Sequence, residues 1–305
     1  MGTGGSLLKN FDLIGYTPLV LLEHYSDENI QIYAKLEMYN PGGSIKDRLA
    51  KHLIEQAIES GKIHEGDTIV EATAGNTGIG LALVANHYHL NCIIFAPEGF
   101  SEEKIGIMRA LGATIYRTPK SEGMMGARQA AKCYADEHQA YYTNQFETND
   151  NPAAYQQTLA EEILKEVPDI THFVAGAGSG GTFSGVSEVF SKHQIKCLVV
   201  EPTGSILSGQ PKGSHDIEGI GVEEWPRFLN KVWIDRIEVV SDRVAFQHVK
   251  DIARYEGILV GSSSGAALEG AIREAKRIRK GKIVVVFPDG SDRYMSQKIF
   301  EYGSE

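Results

Sequence analysis

Short apolar runs alternate with longer amphipathic segments along most of the chain. The runs have strand length, as in TIVEA at 68–72, NCIIFAP at 91–97 and KCLVVEP at 196–202. Segments with apolar positions at helical spacing follow them, such as 78–89 and 123–138. This alternation is typical of βαβ units, so we predict an α/β protein with mostly parallel, twisted sheets covered by helices.

The alternation occurs in two series, which predicts two sheets and two domains. The first series runs from TIVEA to AYYTNQF at 140–146, and the second runs from THFVAGAG at 171–178 to KIVVVFPDG at 282–290. Asn, Asp and Pro cluster between them at 144–155, where we place the boundary. Residues 1–6, MGTGGS, resemble a vector-derived leader and are set aside.

Composition excludes several classes of function. Of the 305 residues, 42% are hydrophobic and 23% charged, as in globular domains. The longest apolar runs are only strand-sized, so we expect no membrane span. A net charge of −10 disfavours nucleic acid as a partner. Three scattered cysteines give neither a disulfide framework nor a metal cluster, which favours a reducing cytoplasm and no metal site.

Lys46 is the first candidate for chemistry, within PGGSIKDR at 41–48. Ser44 and Asp47 have the spacing of a capping box that opens a helix over 46–60, so Lys46 would lie in the first turn. The positive end of the helix dipole disfavours an ammonium there and would lower the lysine pKa towards that of a usable nucleophile. The alternative is an ordinary surface lysine.

The loop TAGNTG at 73–78 follows a predicted strand and precedes a predicted helix. Ligands of open α/β sheets bind at such strand ends. Backbone N–H groups in this loop, with its Thr and Asn side chains, would suit a carboxylate. An ordinary turn between a strand and a helix is the alternative.

A second loop, GAGSGGT at 176–182, supports two interpretations. Gly176, Gly178 and Gly181 spell G-x-G-x-x-G, and Glu201 follows at the distance of a ribose-binding acid, so a dinucleotide site is one interpretation. The hydroxyls of Ser179 and Thr182 among the glycines equally suit a single terminal phosphate. The loop alone does not choose between them.

Two further loops are candidates. GSSSGAA at 261–267 is predicted to lie between a strand and a helix, although serine capping alone would explain it. EGIG at 218–221 has no regular pattern around it, and loops of this kind can act as lids.

Together, Lys46 and these four loops resemble the cysteine synthase and cystathionine β-synthase family, which are fold-type II pyridoxal-phosphate enzymes. The resemblance extends from about residue 13 to about residue 296. It implies a smaller, partly mobile domain over 39–148 and a larger domain made of 7–38 and 149–305. It also implies pyridoxal 5'-phosphate as cofactor, amino-acid and thiol substrates, and a homodimer.

The resemblance assigns roles to individual residues. Lys46 would form the Schiff base with the cofactor and move the Cα proton, and Ser263 would face the pyridine nitrogen. The remaining cofactor-binding residues would be Asn76, at the ring hydroxyl, and Gly178, Ser179, Gly180, Gly181 and Thr182, at the phosphate. The substrate-binding residues would be Thr73, Ala74, Gly75, Asn76, Thr77, Gln145, Gly219 and Gly221. Ala74 replaces the usual Ser of this family.

The implied reaction is β-replacement on O-acetylserine or serine through an aminoacrylate. Asp216 before the glycine pair, the following VEEWP and the PDG at 288–290 resemble cystathionine β-synthases, so homocysteine is the expected acceptor and cystathionine the product. Cysteine synthase activity with sulfide is the alternative. A more distant alternative is a dehydrogenase that binds NAD through Gly176–Glu201. A third alternative is a catalytically silent scaffold, against which the intact Lys46 argues.

Overall fold

A computed structural model of the protein describes residues 8–303, so the leader expected at 1–6 lies outside the described residues. The strands, in chain order, are β1 Leu19–Leu21, β2 Ile30–Leu36, β3 Thr68–Ala72, β4 Asn91–Pro97, β5 Thr114–Thr118, β6 Tyr141–Tyr142, β7 His172–Gly176, β8 Lys196–Pro202, β9 Arg236–Val240 and β10 Gly281–Phe287. In the described part of the chain these strands form two sheets.

The α-helices are α1 Lys46–Glu59, α2 Asn76–His87, α3 Glu102–Ala110, α4 Gly123–His138, α5 Asp150–Tyr155, α6 Glu161–Glu166, α7 Gly181–Ser191, α8 Asp242–Asp251 and α9 Ser262–Ala275. π-helical segments occupy Gln156–Ala160 and Ile252–Glu256. Short 3₁₀ segments lie at Asn10–Leu13, Glu23–Tyr25, Glu37–Tyr39, Lys120–Glu122, Lys231–Trp233 and Ser291–Gln297. No helix among the described residues has the length and apolar character needed to cross a membrane.

The larger sheet has the strand order β1-β2-β10-β7-β8-β9 among the described residues. Only the β1–β2 pair is antiparallel; the other neighbours run parallel. The smaller sheet has the order β5-β4-β3-β6 and is parallel throughout. The predicted α/β class with mostly parallel sheets flanked by helices is therefore confirmed.

The strands fall into separate stretches of the chain. Those of the smaller sheet lie between residues 68 and 142, and those of the larger sheet lie before residue 37 or after residue 171. The division into domains at 39–148 stays a prediction, because one helix contacts both halves.

That helix is α1, which Lys46 begins. Leu49 and Leu53 pack in the apolar cluster of the larger sheet with Phe173 and Val284. Ala50, Ile54 and Ala57 lie in a cluster beside the smaller sheet. Apolar side chains on two faces of α1 therefore fix the first turn of the helix between the sheets.

The predicted capping box at the start of α1 is wrong. The side chain of Asp47 does not return to Ser44; its Oδ2 accepts a hydrogen bond of 2.5 Å from the backbone N–H of Gly42. Gly43 has a φ of +79°, and the resulting turn brings the Gly42 N–H over the helix. Ser44 Oγ instead accepts from the N–H of Lys46 at 3.2 Å. Lys46 is nevertheless the first helical residue, as predicted.

The loop at 261–267 also departs from expectation. No strand precedes it, because the π-helical segment Ile252–Glu256 and an irregular stretch at 257–260 lie there. The helix that follows is present as α9.

Candidate functional site

A cavity lies between the two sheets, where the glycine-rich loop after β7 meets the starts of α1, α2 and α9. Eight predicted site residues line this cavity: Lys46, Asn76, Gly178, Ser179, Gly180, Thr182, Gly219 and Ser263. Residues from distant parts of the chain therefore converge as the four-loop pattern predicts.

The other predicted residues lie behind that lining or beside it. They are Thr73, Ala74, Gly75, Thr77, Gln145, Gly181 and Gly221. Thr73, Ala74, Thr77 and Gln145 are each buried. Gly181 is the first residue of α7, and Gly221 donates its N–H to the carbonyl of Ala177 at 3.0 Å. Of the loop at 73–78, only Asn76 therefore lies in the cavity lining.

The glycine-rich loop ends at the N-terminus of α7, and Thr182 and Phe183 of its first turn line the cavity. The N–H groups of a first helical turn lack partners within the helix and favour anions. A Cβ atom on Gly178 would lie 2.7 Å from the carbonyl oxygen of Gly219. A Cβ on Gly181 would overlap the side-chain oxygen of Asn151. Glycine is required at both positions because neighbouring atoms approach the backbone so closely.

Asn151 is a fully buried residue that the sequence analysis missed. Its Nδ2 donates to the carbonyl of Gln145 at 2.7 Å and to Ser179 Oγ at 3.2 Å. One amide therefore joins the loop at 176–182 to the segment that carries Gln145. Its Oδ1 has no hydrogen-bond partner. The Asn and Pro cluster that marked a boundary was the available signal.

Two side-chain hydrogen bonds hold the loop at 73–78 in place, one within the loop and one to Gln145. Thr73 Oγ1 accepts from the N–H of Gly75 at 3.1 Å, and Thr77 Oγ1 donates to Gln145 Oε1 at 2.7 Å. The second contact leaves the amide NH₂ of Gln145 as its available donor. Ala74 is buried, and neither of these hydrogen bonds uses its side chain. Both therefore form without the hydroxyl that the usual Ser would carry.

Asn76 is held on both sides by residues after β10. Its Nδ2 donates to Asp289 Oδ2 at 2.7 Å, and its Oδ1 accepts from Arg293 Nη1 at 2.7 Å. Tyr294 also donates to Asp289. Because a carboxyl accepts and a guanidinium donates, the two partners fix which way the amide points. Burial raises the pKa of Asp289.

Asp289 lines the cavity, yet it and Arg293 were not predicted as site residues. Their signal was the PDGSDRY run that follows the apolar β10, a strand end of the kind that carries the other site loops. Arg293 also donates to the carbonyl of Gly42 at 3.1 Å. It therefore ties the loop before Lys46 to Asn76.

The EGIG segment at 218–221 lies beside the cavity and contacts both α3 and the start of α9. The N–H of Glu218 donates to Ser262 Oγ at 3.1 Å, at the start of α9. The Glu218 carboxylate forms an ion pair with Lys104 of α3 and accepts from Gln297. Lys104 is only 3% exposed and lies over the ring of Tyr294. Through Glu218, these contacts connect α3 to the start of α9, next to the cavity-lining Gly219.

The structure disfavours the dinucleotide interpretation. Glu201, the proposed ribose-binding acid, is fully buried and does not line the cavity. Its two oxygens accept from the N–H groups of Leu207 and Ser208, both at 2.8 Å. The carboxylate is therefore engaged by the loop that follows it.

Comparison with known proteins agrees with this geometry. Residues 11–289 match the family described as pyridoxal-phosphate dependent enzyme. The chain is 50% identical over 298 residues to an O-acetylserine dependent cystathionine β-synthase of Bacillus subtilis, which covers 96% of this chain and 97% of that protein. It is 48% identical over 297 residues to a cysteine synthase of Helicobacter pylori, covering 95% and 97%.

Solved structures give the same picture. The crystal structure of an O-acetylserine dependent cystathionine β-synthase from Helicobacter pylori matches with a TM-score of 0.92 and 47% identity, covering 97% of this chain and 99% of that one. Cysteine synthase from Entamoeba histolytica matches with a TM-score of 0.93 and 32% identity, covering 100% and 94%.

Proposed function

The chain belongs to the pyridoxal-phosphate dependent enzymes, in the β-replacing group that contains its cystathionine β-synthase and cysteine synthase relatives, and we propose that it joins O-acetylserine to homocysteine to give cystathionine. Pyridoxal phosphate is its cofactor. The observation that carries the proposal is the convergence of Lys46, Asn76, Ser263 and the loop at 176–182 on one cavity.

These residues fit the cofactor. A phosphate needs closely spaced N–H donors, and the glycines at the start of α7 leave no side chain in front of them. An aromatic ring with a hydroxyl needs a donor at its edge, and the Asn76 amide has one N–H left after its bond to Asp289. Lys46 supplies the amine and Ser263 a neutral hydroxyl in the same cavity.

When bound, pyridoxal phosphate supplies an electron sink for negative charge at Cα of the amino acid. Lys46 then takes the Cα proton and later returns it. Ser263 offers the ring nitrogen a neutral hydroxyl, which does not stabilise a protonated ring as a carboxylate would. Negative charge at Cα is therefore expelled quickly with the β leaving group.

The loop at 73–78 and Gln145 bind the α-carboxylate of the substrate in this proposal. The support is the donor set: backbone N–H groups of the loop, the first turn of α2, and the free amide donors of Gln145. Gly219, which lines the cavity, and Gly221 lie in a segment whose closure over the substrate would exclude water.

The donor and the acceptor rest on different arguments. Acetate leaves without a proton, whereas the hydroxide of serine must be protonated as it departs, so O-acetylserine is the better donor. Homocysteine is supported by the Asp216–Trp225 segment, the PDG after β10 and the Bacillus subtilis relative. Sulfide, as in cysteine synthases, is the second candidate because relatives with that name are nearly as similar.

Measurement of kcat/KM for the four combinations of O-acetylserine or serine with homocysteine or sulfide tests the proposal. We expect O-acetylserine with homocysteine to be the most efficient pair. A sulfide rate well above the homocysteine rate would instead make this a cysteine synthase.

Three further features belong to the proposal. The segment from about residue 91 to about residue 136, within the partly mobile domain at 39–148, moves over the cofactor when the amino acid binds; its Lys104 pairs with Glu218, beside the cavity-lining Gly219. The enzyme is a homodimer, by resemblance to its family. It works in the cytoplasm, because its three cysteines are free and two of them are buried as core residues.

A further inference from the structure

Glu71, near the end of β3, is a buried carboxyl group that no step of the proposed reaction uses. It is 0% exposed. Its Oε1 accepts from the N–H of Ala72 at 2.8 Å, and its Oε2 accepts from the N–H of Gln145 at 3.0 Å. The same oxygen lies 2.7 Å from Thr143 Oγ1. One side chain therefore contacts the strand before the loop at 73–78 and the segment that carries Gln145.

These contacts continue the sheet where regular pairing ends. β6 pairs with β3 only at Ile69–Tyr141 and Val70–Tyr142, and the N–H of Thr143 still reaches the carbonyl of Val70. Beyond that point the chains separate, and the Glu71 carboxyl spans the gap. Two backbone N–H groups need two acceptor oxygens, which a carboxyl has and a glutamine amide lacks.

The gap matters because the substrate loop begins there. Thr77 Oγ1 donates to Gln145 Oε1, so this contact requires a fixed spacing between α2 and the segment after β6. Glu71 sets that spacing at the base of the loop. It does so without touching the cavity lining.

Three hydrogen-bond contacts surround the Glu71 carboxyl, with Ala72, Thr143 and Gln145. No ion pair among the described residues includes it. The titratable groups that act on it are Arg128 of α4, Tyr142 of β6 and Cys92 of β4. Burial raises the pKa of Glu71, and it raises those of Tyr142 and Cys92 to about 12. The hydrogen bonds that Glu71 accepts from Ala72 and Gln145 and its contact with Thr143 oppose this effect of burial on its pKa.

We propose that Glu71 is a positioning residue that holds the loop at 73–78 and Gln145 at the spacing needed to bind the α-carboxylate of the amino-acid substrate. The proposal rests on the proposed function, which places the carboxylate at this loop. It assigns Glu71 to substrate selection and not to cofactor binding.

The test compares binding of L-alanine and L-alaninamide to the cofactor-loaded enzyme, followed by the change in visible absorbance. Alaninamide lacks the carboxylate, so the ratio of the two dissociation constants reports that site alone. We expect the wild type to prefer alanine and Glu71→Gln to reduce the preference about tenfold, since it leaves one buried N–H unpaired. Cofactor affinity should stay the same.

Two further variants keep the test decisive. Thr143→Val removes one hydroxyl from Glu71 while keeping the side-chain shape, and it should reduce the preference by a smaller factor, roughly threefold. Glu201→Gln is the matched control, because Glu201 of β8 is an equally buried carboxyl that bonds two N–H groups of the loop that follows its strand. It should leave the preference unchanged.

Failures of the two proposals differ. A wild type without preference for alanine would refute the placement of the carboxylate, and with it this inference. A wild type that prefers alanine, together with Glu71→Gln and Thr143→Val that keep the full preference, would overturn the role of Glu71 alone. An equal loss of the preference for alanine in Glu201→Gln would show a general effect on stability and would also overturn the role of Glu71.

Discussion

The large-sheet wall of the site, formed by the loops at 176–182 and 261–267, is held in place differently from its small-sheet wall. The small-sheet wall is the loop at 73–78, of which Asn76 reaches the cavity lining, with Gln145 bonded behind it. The first depends on close packing of glycine, as where Gly178 lies against the backbone carbonyl of Gly219. The second depends on side-chain hydrogen bonds, as between Thr77 and Gln145.

The difference matches the ligands proposed for each wall. A phosphate that stays bound through every turnover suits a rigid cradle of backbone donors. A substrate that enters and leaves suits a loop whose side chains can separate and close again. Lys46 lies between the walls at the start of α1, where both ligands would meet. A substitution in either wall should therefore weaken the affinity for one ligand and leave the affinity for the other unchanged.

Lys46→Ala should remove both the amine that binds the cofactor and the group that transfers the Cα proton. We expect turnover to fall by at least about 10³-fold, because one side chain supplies both the amine and the proton transfer. Thermal unfolding should stay close to that of the wild type, since the apolar contacts of α1 come from Leu49, Leu53 and their neighbours. An active Lys46→Ala enzyme would refute the assignment.

Gly178→Ala should damage the large-sheet wall. The added methyl would lie 2.7 Å from the Gly219 carbonyl oxygen, so the loop must shift. Overpacking of this kind costs about 1–3 kcal/mol, which predicts a roughly 5- to 150-fold weaker affinity for pyridoxal phosphate. Fluorescence titration of the apoenzyme measures it.

Gly106→Ala is the control for that variant. Gly106 lies in α3 with no atom within 4 Å of an added Cβ. It should bind the cofactor as the wild type does. Equal cofactor affinity in Gly178→Ala would contradict the cradle.

Asp47 offers a pH test of the turn that carries Lys46. Burial raises the pKa of Asp47 from 3.8 to about 7. A folded-state pKa above the unfolded value means that the folded protein binds more protons, so stability is lost as pH rises from about 4 to 7. Relative to Asp47→Asn, the wild-type free energy of unfolding should fall by at most about 1.4 kcal/mol per pH unit.

Urea unfolding of both proteins at several pH values measures this difference. Asp47→Asn keeps an oxygen for the Gly42 N–H, so the turn should remain. A difference that does not change with pH would show that Asp47 is ionised in the folded protein at all of them.

Much of the overall architecture could be predicted from the sequence, because apolar runs such as 91–97 and 196–202 form strands that are buried after their first residue. β1, β2 and β9 were not predicted. In β2 the polar Lys35 interrupts the apolar pattern, and its partners Glu162 and Glu166 lie more than 120 residues away. A local pattern carries no sign of such a partner.

The same limit applies to the site. Lys46 and the glycine loops have local signatures, and the structure brings most of them to one cavity. Asn151, Asp289 and Arg293 act through contacts with residues distant in the chain, such as the Arg293 bond to Asn76, 217 residues away. The Asn and Pro cluster around Asn151 and the PDGSDRY run mark these positions in the sequence, but the partners of the three side chains are visible only in the fold.

The most direct test of the two-wall account measures two dissociation constants, for pyridoxal phosphate and for L-alanine, in Gly178→Ala and Thr77→Val. Thr77→Val removes the hydroxyl bonded to Gln145 and should weaken alanine about fivefold while the cofactor affinity stays unchanged. Gly178→Ala should weaken the cofactor and, once saturated with it, bind alanine as the wild type does. Both constants changing together in both variants would contradict the account.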